Sequence, residues 1–421
     1  MPARSLPRRL ALRFFSCGKH PLEINPYRYS PCLGLGRCLL KRILIFSAVL
    51  LLLALSATAQ IGKKVVVAAG SDEDKALEPI YAAAEGPDKV ALIDKFMQTY
   101  GKGDFELLGD QLYVQTYLAQ KNYPKVFEYG DKALALDPDN LSVCVNMVHA
   151  AEEMGDSQRL LASGEKAAEI VAHYKARPAP EGTPADQWAS TRDAALKDAE
   201  GDIGYVEYAM TQAAYKTADP TARAGLFERY VAAFPDSPYT AAARDQTAIA
   251  YQQAQNTTKM LASAQAALTA DPNDVSILLL LADYWSDNGQ QLDKAAASAQ
   301  KALDILQQAK KPENVADDQW RQQVSVEKGI AYSSLGEVYV VKGRNGPAVD
   351  TFKLANPLLK SSAFYYGRNL YRLGFTLAKM QRIPEARTVL TEAVSVNSPY
   401  KSRAQETLDK IGGATARHKS S

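Results

Sequence analysis

Few residues in this 421-residue sequence can support redox or metal chemistry. It contains four cysteines and four histidines, and three of the cysteines precede residue 43. The fourth, Cys144, has no later cysteine to pair with, and its place in an apolar helical pattern predicts a buried free thiol. The spacing of the first three cysteines fits no metal-ligand pattern. We therefore predict no metal site and no other cofactor.

The sequence motifs of the common enzyme classes are also missing. There is no phosphate-binding loop, dinucleotide-binding glycine pattern, nucleophile elbow or zinc-protease motif. Acidic pairs such as Glu152 and Glu153 are adjacent in the chain and therefore point to different faces of a helix. The sequence indicates a protein that is not an enzyme. The alternative is an enzyme with its site built into a groove between repeats.

The chain has no large surplus of charge of either sign. Its 49 Lys and Arg residues oppose 47 Asp and Glu residues, for a formal net charge of +2. Nine of the basic residues, but only Glu23 among the acidic ones, precede residue 60, so the remainder carries six more acidic than basic residues. Binding to a phosphate backbone requires a surplus of Lys and Arg. We therefore predict no nucleic-acid partner.

One long run, residues 43–55, is apolar except for Ser47 and follows Lys41 and Arg42. Small residues end the run at Ala57-Thr58-Ala59, which is the arrangement of a signal peptide and its cleavage site. A helix of that length spans about 20 Å, short of the roughly 30 Å hydrocarbon core of a membrane. We expect cleavage after Ala59 and export. The alternative is an uncleaved anchor, residues 43–62, in the inner membrane.

From residue 73 onward, apolar residues recur at spacings of three and four, without an alternating strand pattern. Internal repeats strengthen this helical pattern, because similar residues return after 34 positions. Ala133 and Ala167 form one such pair, and Val126 and Leu160 form another. The sequence therefore predicts an all-α protein built from repeated helical hairpins.

These repeats resemble the tetratricopeptide repeat (TPR) family, whose pattern places Leu-Gly and Tyr on helix A and Ala, an aromatic residue and Ala on helix B. The likeness is most specific in the C-terminal half, where the chain has Leu335-Gly336, Tyr339, Ala348, Phe352 and Ala355, then Leu373-Gly374, Ala386, Leu390 and Ala393. The resemblance implies a right-handed α-solenoid of stacked antiparallel helix hairpins and a role in protein binding.

The pattern divides the chain into four parts. Residues 1–59 form an N-terminal extension and signal peptide, residues 60–72 a linker, residues 73–411 the solenoid and residues 412–421 a flexible tail. Ser398-Pro399 opens a terminal capping helix, and Gly412-Gly413 is expected to end it. The clearest repeats cover residues 107–140, 141–174, 238–272, 275–309, 329–362 and 367–400.

Two interruptions rich in Pro and charge, residues 177–184 and 310–314, break the regular repeat. Each leads into Asp-Gln-Trp, at Trp188 and Trp320. We predict a linker loop at each place, followed by an unusually long helix whose Trp packs on the preceding hairpin. A Gly and a Val follow each Trp at the same distances, as Gly204 and Val206 and as Gly336 and Val338.

The TPR resemblance also implies which helix A residues line a binding groove. The last repeat is basic and aromatic there, whereas the earlier groove is polar to acidic. Arg and Tyr on a concave surface combine charge-assisted hydrogen bonds with a large buried area, so we predict the last repeat as the partner-binding hot spot. The alternative is that its aromatic residues only pack against the capping helix. The implied groove residues are His149, Asp283, Glu337, Arg368, Tyr371, Arg372, Phe375 and Lys379.

The sequence and the resemblance together predict an exported, periplasmic TPR scaffold of a bacterial envelope that binds a protein or peptide partner. Residues 227–239 resemble the helix-B exit of TPR proteins in bacterial envelope assembly, which favours a role in envelope assembly or maintenance. The alternative is a membrane-anchored TPR assembly subunit, in which only the N-terminal segment contacts the membrane.

Overall fold

A computed structural model describes residues 61–418, with side chains up to residue 412. Within this range the chain forms eighteen helices and no strand, so the prediction of an all-α fold is confirmed. The predicted signal peptide, residues 1–59, lies outside the described residues. The same holds for residues 43–60 of the alternative anchor and residues 419–421 of the predicted tail.

The helices follow one another as antiparallel hairpins with short turns. The hairpins are α1/α2, α3/α4, α5/α6, α8/α9, α10/α11, α12/α13, α14/α15 and α16/α17, while α7 precedes the fourth hairpin and α18 follows the last. In chain order the helices are α1 (Asp72–Ala82), α2 (Pro87–Tyr100), α3 (Asp104–Ala119), α4 (Tyr123–Leu136), α5 (Leu141–Met154), α6 (Ser157–Ala176), α7 (Ala185–Asp198), α8 (Glu200–Lys216), α9 (Pro220–Ala233), α10 (Thr240–Gln253), α11 (Thr257–Ala270), α12 (Val275–Asp287), α13 (Leu292–Gln308), α14 (Asp317–Val341), α15 (Asn345–Leu359), α16 (Ala363–Lys379), α17 (Ile383–Ser395) and α18 (Lys401–His418).

Packing follows the order of the chain. The two helices of a hairpin pack on each other, and the first helices of successive hairpins also pack together, as α3 does on α5, α12 on α14 and α14 on α16. The buried apolar residues accordingly form a series of clusters along the chain. Stability therefore comes from interfaces between neighbouring hairpins, as in other solenoids.

Small residues allow the paired helices to approach closely. A Cβ added at Gly336 would lie 2.5 Å from the ring of Phe352, and one at Gly374 would lie 2.6 Å from the side chain of Leu390. Ala348, a small repeat residue on the second helix of the hairpin, α15, is fully buried. The repeat residues therefore have the packing role that the TPR resemblance implies. Cys144 is also buried and free, as the sequence predicts.

The turns within six hairpins share one geometry. Each has a residue with φ between 57° and 73° one or two positions after the end of the first helix: Lys121, Gly155, Gln255, Gly289, Gly343 and Gln381. The next N–H then donates to the carbonyl five residues earlier, as Arg344 does to Tyr339 at 2.8 Å and Arg382 to Leu377 at 3.0 Å. This Schellman motif satisfies the last carbonyls of the helix and reverses the chain.

The two Trp-containing interruptions differ in the helix that follows. The second gives the expected long helix, α14. In the first, the expectation is wrong, because the chain breaks at Ala199 into α7 and α8. Gly201 weakens the helix there, since glycine has a high conformational entropy to lose, and the equivalent position of α14 is Ser333. Trp188 packs as predicted, with its ring 5.8 Å from that of Tyr174 on α6.

The beginning of the described chain is held against the second and third hairpins. Ile61 is buried in the same apolar cluster as residues of α3 and α5. The Lys63 N–H donates to Asp137 at 2.7 Å, and its Nζ forms an ion pair with Asp104 at 2.6 Å. The first described residues of the predicted linker, 61–63, are therefore packed on the solenoid.

The last helix is longer than the sequence indicates. We expect Gly412-Gly413 to end it, but α18 continues to His418, so this expectation is wrong. Ala414 and Ala416 follow the two glycines, and the strong helix propensity of alanine offsets their cost. None of the helices described here is long and apolar enough to cross a membrane.

Candidate functional site

A cleft of about 330 Å³ opens in the C-terminal half, where α12, α14 and α16 meet the start of α18. Five of the predicted groove residues line it: Glu337 from α14, and Arg368, Tyr371, Arg372 and Phe375 from α16. Successive first helices of hairpins pack side by side here, which brings residues from repeats far apart in sequence to one surface. The cleft walls also include Asp287, Tyr400 and Arg403.

An ion pair between Arg368 and Asp283 forms the floor beneath the cleft. Two guanidinium nitrogens of Arg368 donate to the two carboxylate oxygens of Asp283, both at 2.7 Å. The side chains are only 5% and 14% exposed. Ser334 Oγ donates to the same carboxylate at 3.2 Å. This bidentate arrangement fixes the orientation of both charged groups.

Arg372 extends this network toward the surface. Its guanidinium donates to the carboxylate of Asp287 and, at 2.9 Å, to the hydroxyl of Ser333. Its Nε lies 3.5 Å from a carboxylate oxygen of Glu337. Arg368 and Arg372 thus reach past α14 to acidic residues on α12, and their charges are balanced within the protein.

Burial and charge act in opposite directions on the acidic groups of the network. Burial acts to raise the pKa of Asp283, but the guanidinium groups of Arg368 and Arg372 outweigh it and hold that pKa below its ordinary value. For Glu337, burial prevails and raises its pKa, because Arg372 only partly offsets the lost hydration. Asp283 is therefore firmly ionised, whereas Glu337 binds a proton more readily than a carboxylate in water does.

The aromatic wall of the cleft comes from α16 and the segment before α18. The rings of Tyr371 and Tyr400 stack with their centroids 6.0 Å apart, and Phe375 lies 6.1 Å from Tyr371. Tyr371 therefore packs against the beginning of the capping helix, as the alternative interpretation expects. Phe375 does not pack in this way, because 46% of its surface is exposed.

A surface hot spot requires exposed arginine side chains, and neither of the two arginines is exposed. Arg368 and Arg372 are buried, and internal carboxylates and hydroxyls occupy most of their donors. They support the cleft from beneath, and their role in partner binding stays a prediction. Lys379 lies at the exposed end of α16, outside the cleft lining.

His149 lies in the first half of the molecule, apart from this cleft. Its ring stacks on that of Tyr205 at 3.9 Å, and the Tyr205 hydroxyl donates to Glu152 at 2.6 Å. Glu153 accepts from the hydroxyl of Tyr123 at 2.5 Å. The predicted groove residues therefore fall into two separate groups, one in each half.

Sequence reasoning missed Tyr400 and Arg403, which line the cleft from beyond the last hairpin. Their spacing of three places them near one another at the start of α18. The predicted capping helix was the available signal, because such a helix covers the last hairpin. In the described residues, no group of three or more His, Cys, Asp or Glu residues is arranged to hold a metal ion.

No protein-family model matches the sequence, and no curated protein sequence matches it. Among solved structures, the chain is similar to one in the Cut9–Hcn1 hetero-tetramer of the APC/C, with 15% identity and a TM-score of 0.40. That match covers 81% of this chain but 64% of the other, which is less than two thirds of its length.

Two further solved structures show the same kind of similarity. Yeast Tom70 matches with 14% identity and a TM-score of 0.37, over 90% of this chain and 74% of that one. The TPR domain of P58(IPK) matches with 11% identity and a TM-score of 0.29, over 83% and 99%. None of the three TM-scores reaches 0.5. The repeat residues, hairpins and turns described above define the class: the chain is a TPR-like α-solenoid.

Proposed function

We propose that the chain is a scaffold that binds a protein or peptide partner in its C-terminal cleft. The observation that carries this proposal is the exposed ring of Phe375 beside a buried, hydrogen-bonded network of charges. An aromatic side chain on a rigid support can bury a partner residue without first becoming ordered itself. The cleft, at about 330 Å³, is large enough for one or two side chains.

The proposal includes export and a role in bacterial cell-envelope assembly or maintenance. The apolar run and the small residues of positions 43–59 support export, and the likeness of residues 227–239 to envelope TPR proteins supports the role. N-terminal sequencing of the protein from its native cell tests this part. A first residue Gln60 is the expected result. An N-terminus before residue 43 contradicts cleavage and favours the anchored assembly subunit.

Site-specific photocrosslinking tests the cleft itself. A benzophenone amino acid replaces Phe375 in one variant and Tyr208 in a control variant, followed by irradiation in the native cell and mass spectrometry. Tyr208, on α8, is 55% exposed and therefore presents a comparable aromatic surface in the other half. We expect position 375 to capture a distinct partner that position 208 does not. Equal capture at both positions, or capture only at 208, contradicts the assignment to the cleft.

A further inference from the structure

The ion-pair network at the cleft contains one more carboxylate than guanidinium groups. Asp283, Asp287 and Glu337 supply three carboxylates, whereas only Arg368 and Arg372 form ion pairs with them in the described part of the chain. Asp283 receives both donors of a bidentate pair, and Asp287 receives the best-placed donor of Arg372. Glu337 is the carboxylate that remains without a full partner.

Glu337 is the carboxylate of this network that lacks hydrogen-bond donors. Its side chain is 22% exposed and its nearest guanidinium nitrogen is 3.5 Å away. Among the described residues, none donates a hydrogen bond to Glu337. A mostly buried carboxylate normally accepts several hydrogen bonds, so Glu337 retains the capacity to bind a donor that enters the cleft.

A third basic residue lies across the cleft but does not neutralise this group. Arg403 sits on α18 with its guanidinium 5.8 Å from the ring centre of Tyr400. It forms no ion pair within 4 Å with any acidic residue in the described range. Because α14 and α18 each pack on α16, the cleft presents Glu337 from the first helix, Tyr371 and Phe375 from α16, and Arg403 from the last.

We propose that the cleft binds a peptide segment in which a Lys or Arg residue adjoins an aromatic or large aliphatic residue. The ligand cation pairs with Glu337 and Asp287, and the apolar side chain packs on Tyr371 and Phe375. This inference rests on the proposed function and adds the chemistry of the partner. An acidic segment is disfavoured at this wall, because it would meet two carboxylates, and the Nη donors of Arg368 and Arg372 already have internal acceptors.

Fluorescence anisotropy with four labelled peptides that differ at two central positions tests this inference on the purified chain. The central pairs are Lys-Phe, Gln-Phe, Glu-Phe and Lys-Ser in an otherwise identical neutral sequence. We expect Lys-Phe to bind about tenfold tighter than Glu-Phe, with Gln-Phe and Lys-Ser between them. The Glu337→Gln variant should weaken Lys-Phe binding about fivefold and leave Gln-Phe binding unchanged.

A matched variant controls for loss of folding. Glu327 lies on the same helix as Glu337, and burial also raises its pKa, but it is not part of the cleft. Glu327→Gln should leave the binding of every peptide unchanged. Melting followed by circular dichroism shows whether the two variants fold alike, and the ratio of Lys-Phe to Gln-Phe affinity within each variant is independent of the folded fraction.

The outcomes separate this inference from the proposed function. Glu-Phe binding as tight as Lys-Phe binding, or an unchanged Lys-Phe preference in Glu337→Gln, overturns the cationic ligand class while photocrosslinking at position 375 still supports the cleft. Failure of all four peptides to bind also overturns the ligand class. The cleft assignment itself fails only if position 375 captures nothing beyond the control at position 208.

Discussion

The two halves of the molecule contain the same arrangement with different groove chemistry. Each has a Pro-rich linker, a Trp and a helix in which one residue lies between a Gly and a Val. That residue is Tyr205 in the first half and Glu337 in the second. Tyr205 donates to Glu152 and stacks on His149, so the groove residues of the first half satisfy each other. In the second half the carboxylate of Glu337 accepts no hydrogen bond from a described residue.

This difference shows that the residues that form the hairpins and the residues that line the groove are specified separately. The small residues and turns that set the hairpins recur in both halves, whereas among the described residues buried arginines occur only in α16. The residue between Gly and Val thus belongs to a hydrogen-bonded contact in the first half and to the lining of the cleft in the second. Matched substitutions in the two halves separate the contributions of the hairpin packing and of the cleft.

The largest effect is expected from removal of a buried charge. Arg368→Ala leaves Asp283 buried without its bidentate partner and should destabilise the chain by about 3–5 kcal/mol. Arg229 makes a similar two-point contact with Glu165 in the first half, at 2.6 and 2.7 Å, but both side chains are more than a third exposed. Arg229→Ala should cost only about 0–1 kcal/mol, because solvent screens this pair.

Urea unfolding of both arginine variants measures this contrast. Equal losses of stability would mean that burial does not distinguish the two ion pairs. An unaltered Arg368→Ala midpoint would show that the network on α12, α14 and α16 does not form in solution.

A second comparison tests the shared frame. Ala167 in the first half and Ala348 and Ala386 in the second are all buried where the helices of a hairpin meet. Replacing any one of them with Leu should overpack that contact and cost about 1–3 kcal/mol. Thermal unfolding checks this, with a change at exposed Leu354 as the control. Unchanged melting of the three variants would show that the repeat register is wrong.

The pH dependence of stability should have opposite signs at two buried aspartates. Burial, reinforced by the neighbouring Asp274, raises the pKa of Asp245 on α10 to about 8. The folded state therefore keeps a proton that the unfolded state releases near pH 4. The contribution of Asp245 to the free energy of unfolding is consequently lost as the pH rises from about 4 to 8. At Asp283 the pKa is lowered, so its contribution is present above about pH 4 and is lost at lower pH.

Asp245→Asn retains a neutral side chain and should flatten the decline in stability between pH 5 and 8. Urea midpoints at pH 5, 6.5 and 8 for the natural chain and this variant measure the change. A variant whose midpoints decline as steeply as those of the natural chain would assign the proton to another group.

The smallest effect concerns the turns. Gln381 adopts φ 59° where Gly343 adopts 73° in the preceding hairpin. Gln381→Gly should stabilise the chain by about 0.5 kcal/mol, because the relief of left-handed strain exceeds the entropy cost of glycine. Gly343→Ala should destabilise it by about 1 kcal/mol. Differential scanning calorimetry can resolve both shifts, and shifts of the same sign would contradict the shared geometry.

Local patterns predicted most of the fold, and long-range pairs explain what they missed. The residues of a hairpin lie within one repeat, so the spacing of Ala348 and Phe352 was enough to predict their packing. The burial of Arg368 depends on Asp283, a partner 85 residues away. On sequence grounds Arg368 belonged to an exposed basic groove, because no local signal distinguishes a free guanidinium from a paired one. The break at Ala199 depends on Gly201, where the second interruption has Ser333, and a comparison of the two interruptions could have revealed this difference.

The reach of Arg368 across α14 also has a consequence for the order of assembly of the chain. In a solenoid each hairpin can fold once its neighbour is present, so structure can grow from the N-terminus as residues emerge. Asp283 cannot be neutralised in this way, because its guanidinium partner arrives four helices later, on α16. The segment from α12 to α16 therefore matures as one unit, and the acidic wall of the cleft is complete only when nearly the whole chain has been delivered.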